Sequence, residues 1–97
     1  MKVEYSNRAI ADLRKLSADS RAMFGDATAL ALETRIRDVV AYISENPEGA
    51  PQVTERTGVR MFPLTHYPYK IFYRVLEGRI RVLHIRHTSR RPWIGTC

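Results

Sequence analysis

The run Asn46-Pro47-Glu48-Gly49-Ala50-Pro51 divides this chain into two halves that need different secondary structure. A residue before proline is biased away from helical backbone and Gly49 adds flexibility, so a helix entering the run stops there. Upstream of it, apolar residues recur at helical spacing. Ile10, Leu13, Leu16 and then Met23 or Phe24 form one stripe, and Ala29, Leu32, Ile36, Val39, Val40 and Ile43 form another. Ser6 is placed to cap a helix starting at Asn7, its hydroxyl receiving an otherwise unpaired backbone donor, and Asp26 to cap a second helix after a break at Gly25. Residues 3–5, ahead of the first cap, read as a short strand. Downstream of the break, residues 59–64, Tyr69–Leu76 and Arg79–His87 are rich in Val, Ile, Phe and Tyr and are separated by short turns, the signature of a three-strand meander. The predicted class is α+β, an N-terminal strand and helical hairpin packed on a small antiparallel β-sheet. At 97 residues the chain has material for one domain over 1–97, ending in a basic tail at 88–97.

Glu77-Gly78 is the tightest turn in the meander, because Gly78 adopts a positive φ without a side-chain penalty. A two-residue loop there pairs Val75 with Ile80, Arg74 with Arg81, Tyr73 with Val82, Phe72 with Leu83 and Ile71 with His84. On that register Ile71, Tyr73, Val75, Ile80 and Val82 cover the helices. Lys70, Phe72, Arg74, Arg81, Leu83, Ile85 and His87 occupy the other face. That second face interleaves apolar and cationic groups and sets Arg74 against Arg81, a repulsive pair unless an anion or solvent separates them. An occupant with acidic and apolar groups is expected over it.

Charge points the same way. The net charge is +6, yet residues 1–55 carry seven Lys or Arg against nine Asp or Glu, while residues 56–97 carry nine basic residues against the single acid Glu77. A positive potential focused on one region favours an anionic partner, nucleic acid or acidic protein.

In the tail, Arg90 and Arg91 offer donors for phosphate or carboxylate, and Trp93 offers apolar area to anchor the tail or a ligand. The three histidines, His66, His84 and His87, lack carboxylates at ligand spacing, and Cys97 is the only cysteine, so neither a metal site nor an internal disulfide is expected. There is no phosphate-binding glycine loop, dinucleotide motif or serine nucleophile elbow, and no cofactor is implied. The opening MKVEYSNRAI lacks the apolar centre of a secretory signal and no apolar run is long enough to span a bilayer, which predicts a cytoplasmic protein with no membrane role.

The order of these segments resembles the RelE/ParE toxin superfamily of type II toxin-antitoxin systems. The resemblance covers nearly the whole chain and rests on Arg60-Met61-Phe62-Pro63, then Lys70-Ile71-Phe72-Tyr73-Arg74-Val75, then Leu83-His84-Ile85-Arg86-His87. It implies a toxin neutralised by an acidic or amphipathic segment of a cognate antitoxin, with DNA contact made mainly through the antitoxin complex. The antitoxin is expected on Lys70, Phe72, Arg74, Arg81, Leu83 and Ile85, and the target on Arg60, Arg86, His87, Arg90, Arg91 and Trp93.

Two branches of that superfamily imply two targets, DNA gyrase for the ParE-like and ribosome-bound messenger RNA for the RelE-like. RNA cleavage needs groups that activate the 2'-hydroxyl, stabilise the extra phosphate charge and protonate the leaving oxygen. Lys70, Arg74, Arg86 and His87 are the residues that would serve. Gln52, however, lies approximately where some nuclease members carry a glutamate base, and Thr88 follows His87 where they carry a tyrosine. The ending therefore resembles the ParE-like branch more closely, and inhibition of gyrase by binding is the expected action. RelE-like messenger cleavage and a plain nucleic-acid-binding module are the alternatives.

Overall fold

The computed structural model describes residues 1–54, 56–64 and 66–88. Its elements run β1 (Lys2–Tyr5), α1 (Asn7–Phe24), α2 (Asp26–Glu45), β2 (Val59–Pro63), β3 (Tyr69–Leu76) and β4 (Arg79–His87). The four strands form one sheet in the order β1-β4-β3-β2. The meander is antiparallel, and β1 joins its far side parallel to β4, pairing Lys2 with Arg79 through Tyr5 with Val82. Both helices cover one face, giving the α+β architecture expected from the sequence.

Local chemistry sets the helix ends. The Ser6 hydroxyl accepts from the Ala9 N–H at 3.0 Å, the capping bond expected of it. Gly25, not Asp26, is the residue between the helices: its N–H donates to Arg21 O and its carbonyl accepts from Ala29 N. Asp26 instead lies in the first turn of α2, where its carboxylate meets Arg21 Nε at 2.8 Å. The α2 helix ends at Glu45, immediately before the Asn46-Pro47 pair.

All six residues of the α2 stripe are buried, and they share a core with Ile71, Tyr73, Ile80 and Val82 of the sheet. Full burial of a side chain such as Leu32 or Ile43 stabilises the fold by about 1.5–3 kcal/mol. The α1 stripe differs from expectation. Its buried residues are Ala9, Leu16 and Ser20, while Ile10 is 38%, Met23 73% and Phe24 65% exposed. Met23 and Phe24 stand at the tip of the hairpin, on the last turn of α1, and the sheet does not cover them. Among the described residues, no helix is long and apolar enough to cross a membrane.

Candidate functional site

The face of the sheet away from the helices carries the cationic chemistry. Its centre is a second, smaller cluster in which Val59 and Phe72 are buried and Val53, Met61 and Leu83 pack around them. Backbone alternation puts Lys70 and Arg74 of β3 on the same side as Phe72. Arg81 faces Arg74 and Arg86 faces Lys70 from β4, so two like-charged pairs flank the apolar centre. Neither aspartate nor glutamate occurs anywhere in β2, β3 or β4. The Arg74 guanidinium lies over Gly58, whose φ is 78°. A Cβ there would approach Arg74 Nη1 to 2.9 Å, so glycine makes both the backbone angle and this close passage possible.

The hairpin begins as expected, with Gly78 at φ 70° and pairing from Val75–Ile80 through Tyr73–Val82. Then the register shifts. Phe72 pairs with His84 instead of Leu83, and Ile71 with Ile85 instead of His84, leaving Leu83 as the extra residue of a β-bulge. One added residue reverses the alternation. Ile85 thereby turns inward, where it is 5% exposed within the main core, and His87 turns the same way opposite Tyr69; both leave the face on which they were expected with Phe72 and Leu83, and Arg86 comes onto it opposite Lys70.

The start of α1 holds this irregular stretch. Beyond β1 the edge of β4 has no strand beside it among the described residues, and Ser6 takes over: its N–H donates to Val82 O at 3.0 Å and its hydroxyl to Leu83 O at 2.9 Å. Further along, Asp12 Oδ2 accepts from the Ile85 N–H at 3.1 Å. The same oxygen lies 4.0 Å from Nδ1 of His84, which is 4% exposed. Burial pushes the His84 pKa down. The Asp12 carboxylate opposes that shift, and the Arg8, Arg86 and Arg56 charges reinforce it. A neutral imidazole in the sheet is the consequence.

The other site residues named from the sequence are distributed as follows. Lys70 and Arg86 come together, whereas Arg74 lies with Arg81 four residues along β3, about 13 Å away at the usual strand rise. His87 stacks edge-on against Tyr69, with ring centroids 5.2 Å apart. Arg60 pairs with Tyr73 and directs its guanidinium to the carbonyls of Ala50, at 2.6 Å, and Glu48, at 3.3 Å. With the Tyr73 hydroxyl donating to Pro47 O at 2.8 Å, it fastens the loop after α2 to the sheet. Gln52 forms an isolated bridge with Arg60 at the outer side of β2. Arg90, Arg91, Trp93 and Cys97 lie outside the described residues, as does the tail beyond Thr88.

Lys70, Arg74, Arg86 and His87 therefore do not converge on one point. General acid–base catalysis requires its groups within hydrogen-bond reach of the same reacting atoms. The arrangement suits an extended anion instead, with cations spaced along an apolar strip. Among the described residues, no group of three or more His, Cys, Asp or Glu is placed to hold a metal ion.

Sequence reasoning missed Asp12 and His84 as a structural pair, because no spacing rule connects a helix carboxylate with a strand amide 73 positions away. It also missed a groove of about 500 Å³ on the helix side, where Met23 and Phe24 at the hairpin tip face Tyr67, Tyr69 and His87 over a floor that includes Leu32 and Ile85. Met23 and Phe24 together at the end of an otherwise charged helix were the available signal.

The family described as the ParE toxin of the type II toxin-antitoxin system parDE matches residues 3–92. Among solved structures, the chain is similar to one from a chromosomal ParDE system of P. aeruginosa, with a TM-score of 0.81 and 26% identity over 92% of this chain and 97% of that one. The isolated E. coli RelE toxin shares the fold with a TM-score of 0.65 at 16% identity, covering 93% of this chain and 86% of RelE. A chain of the intact E. coli RelBE toxin-antitoxin complex does so with a TM-score of 0.54 at 13% identity, covering 92% and 98% respectively. No curated protein matches.

Proposed function

This chain belongs to the ParE toxin family of type II toxin-antitoxin systems, and from that premise we propose that it inhibits DNA gyrase by binding and is silenced by its cognate antitoxin. The observation that carries this reading is the outer sheet face. Lys70, Arg74, Arg81 and Arg86 flank Phe72 and Leu83, and no carboxylate lies on the three strands that present them. Such a face attracts an anionic partner over an area, and its strands offer no carboxylate to act as a general base.

Neutralisation follows from the same geometry. An acidic, amphipathic antitoxin segment over Phe72, Leu83, Arg74 and Arg81 gives the facing guanidiniums counter-charges and also covers Lys70, the partner of Arg86 across the hairpin. Ile85 contributes to the core beneath and not to this contact. The target surface takes in Arg86 and His87 at the end of β4, while the guanidinium of Arg60 is engaged by the loop after α2. The site of action is the cytoplasm.

Purified protein added in parallel to a gyrase supercoiling and cleavage assay and to a translating ribosome with a labelled message tests the proposal. Gyrase-linked DNA breaks with intact message are expected. Codon-specific RNA cleavage with gyrase untouched overturns it in favour of RelE-like action, and Lys70→Ala or His87→Gln should then remove nearly all activity.

A further inference from the structure

The opposite end of the sheet offers a second surface. Among the described residues, strand β1 is an edge strand, bonded to β4 on one side and with no further strand on the other. Because the Ser6 N–H points to Val82 O, alternation directs the backbone groups of Lys2 and Glu4 toward β4 and those of Val3 and Tyr5 outward. An outward row of donors and acceptors is a template for another strand.

Beside that edge lies a groove of about 480 Å³ between the two helices, with Tyr5 at the sheet end and Leu13 and Ile36 lining it. Its charges divide into two sets. Glu33 is occupied by the Ser17 hydroxyl and by Arg21, which also binds Asp26, so that part is self-neutralised. Arg14 and Arg37 are exposed, line the same groove, and make no ion pair among the described residues. Burial raises the Tyr5 pKa, opposed by Arg37, and the neutral phenol offers a donor. The groove thus presents three donor groups to an acid over an apolar lining.

We infer that the outer edge of β1, with Arg14 and Arg37 beside it, receives an extended acidic polypeptide segment that adds as a fifth strand and sets its carboxylates against these two guanidiniums. A polypeptide is favoured over a nucleic acid because Val3 and Tyr5 present alternating donors and acceptors. Phosphate oxygens satisfy only donors, whereas a strand satisfies both. The inference rests on the proposed antitoxin partnership and extends it. Glu4 is in register with Arg81, so a segment covering Arg81 on the outer face is one strand spacing, about 4.8 Å, from β1, whose open edge continues the same contact.

Amide hydrogen exchange of the full chain, alone and with its antitoxin, tests this. The Val3 and Tyr5 amides should slow by about tenfold or more in the complex. Arg14→Glu with Arg37→Glu should abolish that slowing and weaken the complex about tenfold, with protection at Phe72 and Leu83 retained. Since both arginines are exposed, the free variant should keep its melting temperature, and Arg14→Gln with Arg37→Gln should show the same direction of change. A complex that forms with Val3 and Tyr5 exchanging at their free rates overturns the strand addition and leaves the toxin assignment standing. Slowing of these amides by a single-stranded oligonucleotide and not by antitoxin overturns the choice of partner. Failure to form any complex removes the antitoxin reading and this inference with it.

Discussion

Asp12 Oδ2, on the first helix, accepts the N–H of Ile85, on the last strand, at 3.1 Å across 73 positions of sequence. The bond satisfies a backbone donor at an edge of β4 that β1 is too short to cover, immediately after the bulge that turns Ile85 inward. Leaving such a part-buried donor unpaired costs about 1–3 kcal/mol.

Asp12→Ala is therefore expected to destabilise the protein by about 1–3 kcal/mol in urea titration. Asp12→Asn should lose less, since an amide oxygen still accepts from Ile85 although the charge beside Arg8 and His84 is gone. An alanine variant as stable as the parent would show that the contact does not hold the bulge.

His84 gives this protein a pH dependence of definite sign. Its folded pKa lies below the unfolded value of about 6.5, so between the two the unfolded chain binds more protons and stability falls as pH falls. The contribution is complete above the unfolded pKa and is lost as pH drops through the folded one. The groups that set it are Asp12 and Arg8 from α1, Arg86 from β4 and Arg56 from the loop before β2. Urea midpoints from pH 7.5 to pH 5 should decline, and His84→Gln should flatten that decline. An unchanged slope in the variant would assign it to other groups.

Burial, not residue size, should rank the helix substitutions. Leu32 is 2% and Phe24 65% exposed. Leu32→Ala should cost about 2–5 kcal/mol, whereas Phe24→Ala should stay within about 0.5 kcal/mol despite removing a larger side chain. Denaturant melts of the two variants compare them directly, and a Phe24 effect equal to that of Leu32 would mean that the hairpin tip is packed.

The facing arginines should matter to binding more than to folding. Arg74→Gln with Arg81→Gln removes the like-charge pair, so the free protein should lose no stability. Its affinity for the antitoxin, by calorimetry, should fall about a hundredfold, in the range measured for close charge pairs at interfaces. An unchanged affinity would move the antitoxin off this face.

Much of the molecule was legible in the sequence where the cause is local. The Ser6 cap, the end of α2 before Pro47, the six buried residues of α2 and the turn at Gly78 each depend on a few neighbouring residues, and each is found in the structure. Strands β3 and β4 have the expected limits. The β3 side of the cationic outer face, Lys70, Phe72 and Arg74, is also as expected, because alternation along β3 needs only the strand itself.

Past Tyr73–Val82 the local argument no longer decides. A two-residue turn fixes the register only until an extra residue enters, and nothing adjacent to Leu83 marks it as that residue. Its carbonyl is taken by Ser6 and the following Ile85 amide by Asp12, both far away in the chain and brought there by packing of α1 on β4. The exposure of Met23 and Phe24 is similarly a matter of where the sheet lies. Helical periodicity says which face of α1 is apolar but not how far along the helix there is anything to cover it. The sequence by itself determined the elements, their order and the charge of the outer face, since short-range backbone and side-chain chemistry governs these. Only the tertiary structure decided the bulge, the inward turn of Ile85 and the pairing of Arg86 with Lys70, because those depend on long-range hydrogen bonds and on which surfaces the folded chain brings together.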